Sequence, residues 1–191
     1  MPAHQPFDPD RVAYFETEGW RAYYDRKWPR LLRLLVTMSH EQFRIPWPQA
    51  VVAAYYVTRA SVAWVPVDHD DAKVLRFYEA FYGLARKYSG LNFDPKRVAE
   101  LELKYNDDHR RLVDAEDKTE LLQTLVDLHA ALFGLSAEQV AESAAHRVAA
   151  LNAVDRITSK RSTDVAADWR EVLGELQRCY RSIAAVSSET R

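Results

Sequence analysis

Apolar residues return every three or four positions along almost the whole chain, and the turn chemistry of β-hairpins is missing. Only five glycines occur in 191 residues, and neither Asn-Gly nor Asp-Gly is present. A chain patterned this way buries one stripe of each helix against other helices. The expected fold is therefore all-α: a single-domain bundle of about seven helices with short connections.

The helix boundaries are written in capping chemistry. Asp8-Pro9 and Asp94-Pro95 each place a side-chain acceptor before a proline at the first helical position. Trp28-Pro29 implies a kink or a restart, because proline removes a donor and crowds the preceding turn. Gly134 suits a left-handed C-terminal cap, and Ser136 with Gln139 matches a capping box. The acidic, apolar-poor stretch 113–118 is the one candidate lobe boundary, and 159–164 reads as a polar loop. Ala50 to Val67 is apolar nearly all round, but Arg59 at its centre and Pro66 near its end argue against a membrane span. The helix expected there, from about Pro48 to Trp64, reads as a buried one at the centre of the domain.

Composition narrows the function. Twenty-six Lys and Arg against 28 Asp and Glu leave a net charge of −2. The short basic clusters, Arg21 to Arg33 and Lys160-Arg161, sit among acids. A nucleic-acid partner is disfavoured, since phosphate contacts need a concentrated positive face. The single cysteine, Cys179, lies between Leu176 and Ile183 at helical spacing and reads as core. The first residues, Met-Pro-Ala-His-Gln-Pro, lack the basic and apolar regions of a signal peptide, so a soluble cytoplasmic protein is expected.

No P-loop, dinucleotide fingerprint, nucleophile elbow or H-E-x-x-H motif occurs. The absence of any E-x-x-H pair also disfavours a di-iron carboxylate site. What remains are scattered polar residues on helix faces. Glu102 and His109 share the apolar side of their helix with Val98, Leu101 and Tyr105, but seven residues separate them by about 10.5 Å. Glu142 and His146 stand four apart, a spacing at which a carboxylate and an imidazole can meet one ion or one proton. Asp155 falls on the stripe of Val148 and Leu151, where a carboxylate needs a partner; Arg147 or Arg59 is the expected one. Asp68-His69-Asp70-Asp71 clusters oxygens suited to a hard cation, without EF-hand spacing.

The aromatic residues are the other distinctive feature: 22 in all, 17 of them crowded into positions 14–93. Trp20, Tyr24, Tyr55, Tyr56, Arg59 and Trp64 are the expected binding residues, forming a pocket for a small apolar or aromatic ligand or a homo-oligomer interface. The leading expectation is thus a helical binding or interaction protein. The alternative is a metal- or acid/base-dependent enzyme drawing on Glu102, His109, Glu142, His146 and Asp155, and it requires at least three of them to converge. The sequence points to no particular cofactor.

Overall fold

The structure is a computed structural model, and it describes residues 7–189. The first six residues, read above for a targeting signal, lie outside the described residues. Among the described residues there are eight helices and no strand: α1 (Pro9–Tyr24), α2 (Trp28–Phe43), α3 (Trp47–Trp64), α4 (Asp71–Ser89), α5 (Pro95–Arg111), α6 (Thr119–Phe133), α7 (Ala137–Thr158) and α8 (Val165–Glu189). Trp28-Pro29 marks a restart rather than a kink, which raises the number from about seven to eight. Asp25 to Lys27 make the break, with Arg26 in the left-handed region at φ 57.

Local chemistry sets the other boundaries as expected. The Asp8 carboxylate accepts from the amides of Asp10 and Arg11 at 3.0 and 3.1 Å, and Asp94 accepts from Lys96 at 3.1 Å. Ser136 and Gln139 close the capping box, each side chain accepting from the other's amide. Gly134 ends α6 at φ 67, a conformation that costs a residue without Cβ nothing.

The helices form a closed circuit. Each packs against its neighbours in chain order, α2 also touches α4, and α8 returns to pack on α1. Short links turn each helix back beside its predecessor. Two contacts fix the closure as antiparallel: Asp10, at the start of α1, pairs with Arg181 late in α8 at 2.7 Å, and Arg21 lies over the ring of Trp169. Phe77, Tyr78, Phe81 and Tyr82 of α4, Leu121 and Leu125 of α6, and Val172, Leu176 and Ile183 of α8 are among the buried residues of one core cluster.

The position of α3 corrects the expectation of a central helix. Its fully buried residues are alanines, Ala50, Ala53, Ala54 and Ala60, whereas Trp47, Val51, Val52, Tyr55 and Val62 are exposed. A helix that is apolar all round carries no direction in its hydrophobic pattern. The alanines let its backbone approach α2 and α4 closely, and the bulky side chains are left on the outside. No helix among the described residues is long and apolar enough to cross a membrane.

Candidate functional site

Two surfaces stand apart from ordinary packing: the outer face of α3 and a cleft beside α7. The α3 face carries Trp47, Val51, Tyr55 and Val62 on one arc, with Tyr55 49% and Val62 62% exposed. Its single charge, Arg59, lies over aromatic rings, 5.8 Å from the centre of Tyr55 and 5.3 Å from that of Phe77. Trp47 is held in place from behind. His40 stacks on it at 4.1 Å and donates through Nδ1 to the Ile45 carbonyl at 2.9 Å, across a link in which Arg44 takes φ 57. The exposed indole is therefore fixed rather than loose.

The cleft has a volume of about 690 Å³ and lies between the α5–α6 connection, the start of α6 and one stripe of α7. Asp155 is buried at its edge. It pairs with His109 of α5 at 2.9 Å and with Lys118 at 3.0 Å, so neither Arg147 nor Arg59 is its partner. The carboxylate can only accept, so His109 donates from Nε2 and its Nδ1 is the nitrogen left for other partners. Burial pushes the Asp155 carboxyl up, but the hydrogen bonds and charges of His109 and Lys118 outweigh it and hold the group below its ordinary value. Tyr105 lies parallel to the His109 ring, 6.3 Å between centroids.

A third group of polar residues is enclosed by the helices. Arg147 meets Glu16 through both terminal nitrogens, and the Tyr180 hydroxyl donates to Glu16 at 2.6 Å. Burial pulls the Arg147 guanidinium down, yet the Glu16 charge outweighs this and raises it well above its usual value. Arg147 also lies over Trp20, 5.3 Å from the ring centre. Nearby, Tyr82 donates to Glu102 at 2.9 Å, and Asn106 bridges the Glu102 carbonyl and the Tyr78 hydroxyl. Burial raises the Glu102 carboxyl, against the lowering influence of Arg147 and the Tyr82 hydrogen bond.

Of the five acid, base and metal candidates, the structure brings His109 and Asp155 into direct contact and leaves Glu142 and His146 as a looser pair within α7, and the two pairs stay separate. Glu102 belongs to the Tyr82 group. His146 turns to α8, donating from Nδ1 to Glu175 at 2.7 Å, while Glu142 stays 3.8 Å from its other nitrogen. Among the described residues, no three His, Cys, Asp or Glu side chains are grouped so as to hold a metal ion. At the 68–71 connection, Asp70 caps α4 and His69 Nε2 lies 3.2 Å from Asp71 and 3.6 Å from Asp107.

The aromatic candidates fall in several places. Tyr55 and Tyr56 are in ring contact at 5.8 Å, and Arg59 joins Tyr55 on the outer face. Trp64 donates to Asp107 at 2.8 Å under the stacked guanidinium of Arg110. Trp20 faces Arg147. Tyr24 packs edge-on to Tyr23, and its hydroxyl is pushed up to about 12 by burial and by the Asp155 charge. None of the six lines the cleft.

Several participants were not singled out in the sequence. Lys118 looks like one more solvated residue of an acidic turn, and Glu16 stands 131 positions from its partner. His129 did carry a signal, since it lies among Leu125, Leu128 and Leu132 at helical spacing. It is buried and donates from Nδ1 to Ser143 at 2.7 Å. Comparisons with protein-family models, with curated proteins and with solved structures find no significant match, so the arrangement of these residues carries the functional argument.

Proposed function

We propose that this protein is an interaction protein that assembles with a second copy of itself through the outer face of α3. The observation that carries the reading is the inverted burial of that helix: alanines inward, and Trp47, Val51, Tyr55 and Val62 outward. With Val52 and Val65, those side chains expose on the order of 600 Å² of largely apolar surface. That is the upper end of what a monomer usually shows, and most of the roughly 800 Å² a standard interface takes from each partner.

A second copy fits better than a dissimilar partner because the face is self-complementary. Tyr55 sits at the midpoint of the 18-residue helix, so a two-fold axis there brings two Tyr55 rings together and pairs the ends of α3 head to tail. Beyond its C-terminal end lie Asp68, Asp70 and Asp71, all exposed; beside its N-terminal end the last turn of α4 carries Arg86 and Lys87. An antiparallel pairing sets the acidic end of one copy over the basic end of the other. The enzyme alternative needs three converging candidates and has two.

Sedimentation equilibrium tests the reading. Wild-type protein is expected to be dimeric at micromolar concentration. Tyr55→Glu places two carboxylates at the axis and is expected to give a monomer of unchanged helicity. A wild-type protein that stays monomeric at tens of micromolar overturns the proposal.

A further inference from the structure

We infer that the tip of the α1–α2 hairpin docks on an anionic lipid surface. The patch begins on α2. Trp28, Leu32 and Leu35 fall on the same side of that helix as Ser39, Gln42 and Phe43. The last three are buried, but Leu35 is half-buried, and Leu32 and Trp28 are 45% and 54% exposed. The stripe that packs at the end of α2 is therefore left bare at its start. Tyr23, also exposed, meets Trp28 edge-on at 6.0 Å and widens the patch. The turn between them is fixed. The Arg26 amide donates to the Tyr23 carbonyl at 3.0 Å and the Lys27 amide to the Ala22 carbonyl at 2.8 Å, with Arg26 at φ 57. Glycine takes that conformation at no cost, and arginine does not.

Charge decides what covers the patch. Between residues 18 and 33, five basic residues, Arg21, Arg26, Lys27, Arg30 and Arg33, stand against two acids, Glu18 and Asp25. Arg21 and Arg30 share Glu18, and Lys27 pairs with Asp25 at 2.9 Å. Arg26 and Arg33 are exposed and have no acidic partner among the described residues. The α3–α4 connection at the same end of the bundle carries Asp68, Asp70 and Asp71, followed by Lys73 and Arg76, so the surplus on the hairpin stays positive. Trp and Tyr rings rest at the headgroup level of a bilayer, leucines reach just below it, and arginines meet the anionic headgroups. A single-stranded nucleic acid would use the cations and could stack on Trp28, but it gains nothing from Leu32 and Leu35. Lipid uses both halves of the patch.

Flotation with vesicles of phosphatidylcholine containing about 30% phosphatidylserine tests the inference. Wild-type protein is expected to bind them at about 0.1 M NaCl, at least about tenfold more tightly than phosphatidylcholine alone, and to release at about 0.5 M. Arg26→Gly suits φ 57, so it is expected to be at least as stable as wild type yet to bind about fivefold more weakly. Trp28→Ala/Leu32→Ala changes two exposed residues and is expected to weaken binding at least about tenfold with helicity retained. The antiparallel pairing proposed for α3 points the two hairpin tips of a dimer in opposite directions, so one vesicle meets one tip. Tyr55→Glu is accordingly expected to bind vesicles as wild type does, and failure of self-association is read separately from failure of the tip. Wild-type protein that does not float, or that binds phosphatidylcholine alone equally well, overturns the inference. So does unchanged binding by Arg26→Gly or by Trp28→Ala/Leu32→Ala, or a single-stranded oligonucleotide bound more tightly than the vesicles.

Discussion

Arg147 of α7 and Glu16 of α1, 131 positions apart in the chain, meet in a two-point ion pair at 2.7 and 2.8 Å, and the Tyr180 hydroxyl of α8 closes on the same carboxylate. The pair lies where the circuit of helices closes, so it ties the last two helices to the first. Each partner alone is a charge that the surroundings cannot solvate.

Breaking that pair from one side is expected to be costly. Arg147→Met or Glu16→Gln leaves the other group buried without its counter-charge, and each variant is expected to lose about 3–5 kcal/mol in urea unfolding. The double variant Glu16→Leu/Arg147→Met removes both charges and is expected to lose clearly less than the sum of the two. Single variants within 1 kcal/mol of wild type would show that the pair contributes little.

His129 gives stability a pH dependence of definite sign. Burial, and then the Arg147 charge, lower its pKa from 6.5 to about 3, so the folded protein holds it neutral. The unfolded chain binds the proton more readily between those values, and folding is therefore opposed as the pH falls below about 6.5. The contribution is complete above that pH and lost progressively down to about 3, with about 2 kcal/mol going by pH 5. His129→Gln keeps a donor towards Ser143 without the titration. Its urea midpoint is expected to fall less than that of wild type between pH 7 and pH 5; parallel slopes would place the effect elsewhere.

Cys179 is expected to be silent towards thiol reagents in the folded protein. It is fully buried, and burial is the main reason its thiol is pushed up to about 12. Labelling with a disulfide reagent should follow the unfolding transition in urea. Stoichiometric labelling in buffer would mean that α8 opens locally.

The capping box at Ser136 offers a helix-level test. Ser136→Ala removes the acceptor for the Gln139 amide and is expected to cost about 1 kcal/mol, seen as a lower Tm. Gln139→Ala removes only the reciprocal bond to the Ser136 amide and is expected to cost less.

How much of this was legible in the sequence depended on the range of the physics. Asp8-Pro9, Asp94-Pro95, Gly134 and Ser136 act within one turn of backbone, so the ends of α1, α5, α6 and α7 could be read directly. Asp155 could be placed on an inward stripe and assigned a need for a partner. Its actual partners, His109 and Lys118, come from α5 and the connection after it, and a helical wheel does not show which neighbour lies opposite. For α3 the pattern itself was ambiguous. Apolar residues all round say that the helix avoids water, and only the distribution of alanine against Trp47, Val51 and Tyr55 says which side is closely packed. Size rather than hydrophobicity was the informative property there.

The antiparallel seam between α1 and α8, marked by the Asp10–Arg181 pair, means that the circuit has no physically privileged starting point. A short linker from the end of α8 to Asp8 would join neighbouring surfaces, and new termini could be opened in the α5–α6 connection. Such a circularly permuted chain would retain every helix contact described above. It would turn the α1–α8 seam from the most distant pairing in the chain into one of the most local, and so change the order in which the helices find each other without changing what they find.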